Sequence, residues 1–180
     1  MANETRRECL CQLKWWLEPM LYKDFLNSAR KHKFACDVIH EKVSSIQPPS
    51  ELYRSLILTL YYLSGYTIEC IVKYAIYDLY RHNRKTEIDQ LDHDGVTYAD
   101  IKHHKFNRYT EFLNRRVSGS IPLINDISHI PKAIMFLYNE WDAHIRYRCS
   151  YHDHIATSDY IDFYMYSKRI FHSILEQTRG

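Results

Sequence analysis

The sequence predicts an all-α fold, an antiparallel up-and-down bundle of about five helices. Apolar residues recur every three or four positions through most of the chain, the spacing of one buried helix face. Gly and Pro number only 4 and 5 among 180 residues, too few for the turns of a β fold. Hydrophobic residues make up 46% and aromatics 14%, enough for a real core and against general disorder. One domain is expected over residues 1–180, with its core at about 20–178 and residues 1–18 as a short extra helix or arm.

The first helix is expected over residues 19–45, where Leu21, Phe25, Ala29, His32, Cys36 and Ile39 share one face. Gln47, Pro48, Pro49 and Ser50 break it, and Ser50 can cap the next helix. That second helix is expected over residues 51–84, roughly 50 Å at 1.5 Å per residue. It is apolar nearly all round, as in an element surrounded by others. Its length would also suit a membrane span. Glu69 and Lys73 lie inside it, however, where each charge is expensive in lipid, so a central bundle helix is expected and no membrane contact.

Residues 87–100 read as an acidic, solvated connector. With Gly95 at the sixth position of a calcium loop, Gln90 and Ile101 would stand where a carboxylate and a bidentate Glu are needed. A third helix is expected over residues 101–117, carrying Lys102, Lys105, Arg108, Arg115 and Arg116 against a single acid, Glu111. Residues 118–122, Ser-Gly-Ser-Ile-Pro, end it. Pro131 suits the first turn of a fourth helix, on which Ile134, Leu137, Tyr138, Trp141 and Ile145 recur. After a His-rich break at residues 149–155, the last helix is expected over residues 158–177, with Ile161, Tyr164, Phe171, Ile174 and Leu175 as its apolar stripe.

Lys and Arg total 24 against 22 Asp and Glu, so the net charge of +2 creates no global field demanding nucleic acid. The 11 histidines add positive charge as they protonate near neutrality. Sixteen tyrosines are the compositional outlier, each pairing an apolar ring with a polar tip suited to a core edge or an interface. Five irregularly spaced cysteines imply reduced thiols in a cytoplasmic protein, and residues 1–17 lack the apolar stretch of a secretory signal. There is no glycine-rich phosphate loop, no GxSxG and no HExxH. Cys149, His152 and His154 match no common zinc spacing, so neither metal nor cofactor is expected.

The most informative feature is Gly65-Tyr66-x-x-Glu69-x-x-x-Lys73 within the apolar second helix. Residues four apart share a helix face, and Glu before Lys is the favoured order, so the pair reads as a polar element locked into the core. Gly65 costs about 1 kcal/mol relative to Ala mid-helix, which marks close contact with another helix or a ligand. This stretch, with Cys70 beside Glu69, resembles one branch of the HEPN superfamily (higher eukaryotes and prokaryotes nucleotide-binding domain). A histidine opening a later segment (His103 or His104) and Trp141 followed by Arg146-Tyr147 fit the same pattern. The resemblance covers roughly residues 22–175 in pattern, and only the central helix is specific.

The resemblance implies a HEPN-like bundle, a homodimer, and a place in toxin–antitoxin or antiviral defence with a neutralising partner protein. Catalytic members of the superfamily are metal-independent ribonucleases with an Arg-x4–6-His motif paired across a dimer interface. Two interleaved matches occur here, Arg146 with His152 and Arg148 with His154, each with five residues between. Histidine can move the proton of a ribose 2′-hydroxyl or of a leaving 5′-oxygen, and arginine can grip phosphate and the transition-state charge. Such spacing puts the two side chains on different faces of a regular helix, so it works only where the helix breaks. Tyr147 and Cys149 come after the two arginines where active members usually carry a small polar residue.

Two readings remain open. In the first, Arg146, Arg148, His152 and His154 form a ribonuclease site, and Lys102, His104, Lys105 and Arg108 help to track the RNA backbone. In the second, Arg146 is structural and reaches the Glu69–Lys73 pair, the histidines are surface groups, and the bundle is a non-catalytic module binding nucleotide, RNA or a protein partner.

Overall fold

Ser50 opens the central helix as its residue type requires, its hydroxyl accepting the Tyr53 N–H at 3.1 Å. The structure, a computed structural model, describes residues 19–79, 81–93, 96–104, 110, 112–113 and 130–178. Among these residues the α-helices are α1 (Lys23–Ser44), α2 (Glu51–Asp78), α3 (Tyr98–Ile101), α4 (Lys132–Glu140) and α5 (Thr157–Gln177), and the protein is an all-α bundle. The arm expected at residues 1–18 lies outside the described residues.

Helix α2 is the axis around which the rest packs, with α1 and α5 lying along it. Its apolar character all round has this cause: from Ile68 to Asp78 every residue is buried. By length and composition α2 could cross a membrane, yet 67% of its apolar window is buried inside the protein. Phe25, Ala29 and Cys36 of α1 and Tyr160, Phe163, Ile170, Phe171 and Ile174 of α5 supply the facing layers. Several of the core tyrosines find hydroxyl partners at its edge. Tyr61 donates to the Leu137 carbonyl at 2.7 Å, Tyr22 to the His82 carbonyl at 2.8 Å, and Tyr164 to Asp37 at 2.6 Å.

Four expected elements differ in the structure. Helix α2 ends at Asp78 rather than residue 84, because Arg81 turns into the left-handed region at φ 58°. There the Arg81 N–H bonds to the Asp78 carbonyl and the His82 N–H to the Tyr77 carbonyl, a Schellman closure. The connector is more than a solvated turn. It carries a 3-10 turn (Ile88–Gln90) and a two-residue antiparallel ribbon of β1 (Asp92–His93) and β2 (Val96–Thr97), and it buries Ile88, Leu91 and Val96.

The third helix begins earlier than residue 101, since Thr97 and Asp100 form a reciprocal cap that starts α3 at Tyr98. It then stops, and Lys102, His103 and His104 are not helical. Thr110, Phe112 and Leu113 are helical, while most of the rest of the expected segment, including Lys105, Phe106, Arg108, Tyr109, Glu111, Arg115 and Arg116, lies outside the described residues. The fourth helix does not run to Ile145. Trp141 turns extended, and Asp142 caps a separate 3-10 turn, Ala143–Tyr147, through the His144 N–H.

Candidate functional site

Gly65 is where a residue of α2 with a side chain would collide. A Cβ there would stand 1.9 Å from Trp141 Nε1 and 2.0 Å from Cε2, so glycine lets the indole lie against the helix backbone. The indole is buried, its N–H donates to the Tyr62 carbonyl at 3.2 Å, and the Tyr66 ring meets it edge-on at 5.1 Å. The contact expected at Gly65 is therefore with a side chain from the turn after α4. This contact holds the Ala143–Tyr147 turn against α2, with Ile145 buried beneath it.

One helical turn further, the Glu69–Lys73 pair is buried and bonded at 2.6 Å, with both side chains only 4% exposed. Its third partner is His104, whose Nδ1 lies 3.0 and 3.1 Å from the two Glu69 oxygens, while half of the imidazole remains exposed. Arg146 does not reach the pair. It stacks on its neighbour Tyr147, 4.7 Å from the ring centroid, and is exposed. The reason is the break at Trp141, which sets Arg146 on the outside of a separate turn rather than on a continued helix face. His32 of α1 meets the Tyr66 ring with 5.4 Å between ring centroids, and burial lowers its pKa.

The second cluster sits at the other end of the same α2 face. Residues 148–156 form no helix, so the condition that the motif needs a break between Arg and His is met. Ile145 and Ile155 anchor this segment in the core, the Tyr160 hydroxyl accepts the His152 N–H at 2.9 Å, and both His152 and His154 meet the Phe136 ring edge-on, at 5.2 and 4.5 Å. Arg148, not Arg146, approaches His152. Its guanidinium nitrogen is 3.2 and 3.1 Å from the two ring nitrogens. The pairing observed is thus Arg148 with His152, which crosses the two five-residue matches read from the sequence and, with three residues between, departs from the Arg-x4–6-His spacing. Burial first and Arg148 second lower the His152 pKa, both favouring the neutral ring over the imidazolium.

Arg146 and Arg148 also line an open groove of about 920 Å³ between the turn and the N-terminal half of α2. Arg54, Leu58 and Tyr62 form the α2 side of this groove, four residues apart on one helix face. Neither Arg54 nor Tyr62 was singled out by sequence pattern, since an exposed Arg on a helix carries no local signal of what faces it. Lys102 is exposed at the end of α3, and Lys105 and Arg108 lie outside the described residues. Cys149 is exposed beside the groove, whereas Cys36 and Cys70 are buried, which pushes their thiols up to about 11 and about 12. Among the described residues no group of three His, Cys, Asp or Glu side chains could hold a metal ion.

No protein-family model, no curated protein and no solved structure matches this chain.

Proposed function

We propose that this protein is a HEPN-type, metal-independent endoribonuclease. The observation that supports this reading best is the Arg148–His152 contact of 3.1–3.2 Å at the edge of an arginine-lined groove. Neutral His152 takes the proton of a ribose 2′-hydroxyl, whose oxygen attacks the adjacent phosphorus. His154, held against the same Phe136 ring, returns a proton to the leaving 5′-oxygen. The P–O5′ bond breaks, leaving a 2′,3′-cyclic phosphate and a 5′-hydroxyl. Arg148 and Arg146 carry the charge that builds on the phosphoryl oxygens. Placement in toxin–antitoxin or antiviral defence, a cytoplasmic location, a homodimer and a neutralising partner rest on the HEPN resemblance.

The test is cleavage of single-stranded RNA in excess chelator by the native chain and by Arg146→Ala, Arg148→Ala, His152→Ala and His154→Ala. His152→Ala and Arg148→Ala should lose about 10²–10⁴-fold in turnover, the range of one acid–base group, with binding changed far less. DNA should resist cleavage because it lacks the attacking hydroxyl. Absence of cleavage, or cleavage undiminished in all four variants, would sink the catalytic reading and leave the non-catalytic binding module in its place.

A further inference from the structure

We propose that the groove between α2 and the Ala143–Tyr147 turn is a track for a single-stranded polynucleotide. In it Arg54 grips a phosphate neighbouring the one held by Arg146 and Arg148, and Tyr62 lies against a base. The inference builds on the ribonuclease reading only in placing the scissile phosphate. The binding itself needs no chemistry.

The argument starts from charge. Three guanidinium groups, Arg54, Arg146 and Arg148, line the groove against one carboxylate, Glu51, in a chain whose net charge is only +2. Positive charge is therefore concentrated here although the protein as a whole is nearly neutral. All three arginines are exposed to solvent, Arg146 over the Tyr147 ring and Arg148 beside His152. Tyr151 supports Arg54 from below, its ring centroid 5.9 Å from the guanidinium carbon.

Shape and chemistry of the walls narrow the ligand. Arg54, Leu58 and Tyr62 succeed one another along α2 at about 6 Å per step, roughly 12 Å from first to last. A repeating anion with apolar rings between its charges fits that alternation of guanidinium, aliphatic and phenol. Tyr62 is half-buried and lines the groove, with the Tyr66 ring packed edge-to-face against it at 5.0 Å, so a base would stack on the groove side of the phenol. The volume of about 920 Å³ is near the upper end of small-ligand sites, about 300–1,000 Å³, and the groove is partly open to solvent. A strand that passes through fits this better than an enclosed mononucleotide. An acidic peptide would satisfy the arginines but has no flat face for Tyr62.

The experiment measures binding of fluorescent ten-residue oligouridylate and oligodeoxythymidylate by anisotropy, with polyglutamate as competitor, at several salt concentrations. Native protein should bind both oligonucleotides, since the groove reads phosphate and base faces rather than the 2′-hydroxyl. Arg54→Ala should weaken both at least fivefold and reduce the salt slope by about 0.7, the value for one phosphate on a single strand. Arg54→Lys should recover part of the affinity and keep the slope, and Tyr62→Ala should cost about tenfold. Lys85→Ala, exposed on a loop outside the groove, serves as a charge control and should bind as the native chain does. Arg54→Ala binding as tightly as the native chain, or polyglutamate displacing the strand as effectively as unlabelled oligonucleotide, would overturn the inference. Its failure and that of the ribonuclease reading are distinguishable. Arg54-dependent binding without cleavage keeps the track and removes the ribonuclease, whereas cleavage with Arg54-independent binding does the reverse.

Discussion

Replacing Gly65 by alanine sets two effects of opposite sign against each other. Alanine gains about 1 kcal/mol over glycine in a helix interior. Against this, the added carbon would lie 1.9, 2.0 and 2.4 Å from three atoms of the Trp141 indole, where ordinary carbon contacts are about 3.5–4.0 Å. The ring must retreat by about 1.5 Å to restore that spacing. It is 2% exposed and tied to the Tyr62 carbonyl, so it has no free direction to move. Overpacking of this kind costs about 1–3 kcal/mol, and loss of the indole hydrogen bond about 1 more. The net expectation is a loss of about 1–3 kcal/mol in urea unfolding, despite the better helix former. The decisive arm is the Trp141→Ala background, itself about 3–5 kcal/mol less stable. There the clash is gone and Gly65→Ala should stabilise by about 1 kcal/mol. A neutral or stabilising Gly65→Ala in the native background would refute the close approach. A sign that failed to reverse in the double variant would show that the indole is not what the new carbon meets.

Three further outcomes are expected. Glu69→Ala should cost about 3–5 kcal/mol in thermal or urea melts, because it strips a buried carboxylate from both Lys73 and His104; a melt like the native one would remove the buried pair as a structural element. Arg81→Gly should stabilise by about 1 kcal/mol, since glycine occupies φ 58° without the clash of a Cβ, and an unchanged urea midpoint would contradict the helix-closing geometry. Burial lowers the His32 pKa in the folded state, so this residue's contribution is complete above its unfolded pKa of about 6.5 and is lost as pH falls through the lower folded value. His32→Gln should therefore flatten the decline in stability between about pH 7 and 5, and an unaltered slope would discount the half-buried neutral ring.

The all-α class, the helical stretches of α1, α2, α4 and α5, the Ser50 cap and the Glu69–Lys73 pair were legible in the chain because each depends on neighbours within one or two turns. Helix periodicity repeats every 3.6 residues, so a buried face writes itself into the sequence many times over, and an i, i+4 pair needs no knowledge of the rest of the fold. Gly65 was legible in part: its cost announced a close approach, but the indole that fills the space comes from 76 positions further on.

The candidate site was decided by packing between distant elements. Glu69 takes His104, 35 residues away, because α3 stops and leaves His104 free to turn toward α2. Arg148 takes His152 because Asp142 and Trp141 end α4 and start a separate turn, which reshuffles the spacing that a continuous helix would impose. Arg54 joins Arg146 and Arg148 only because that turn is pinned on α2 through Trp141 and Ile145. Local backbone preference is encoded residue by residue, whereas the choice of a long-range partner rests on how whole side chains fill shared space, and that is settled only when the helices meet.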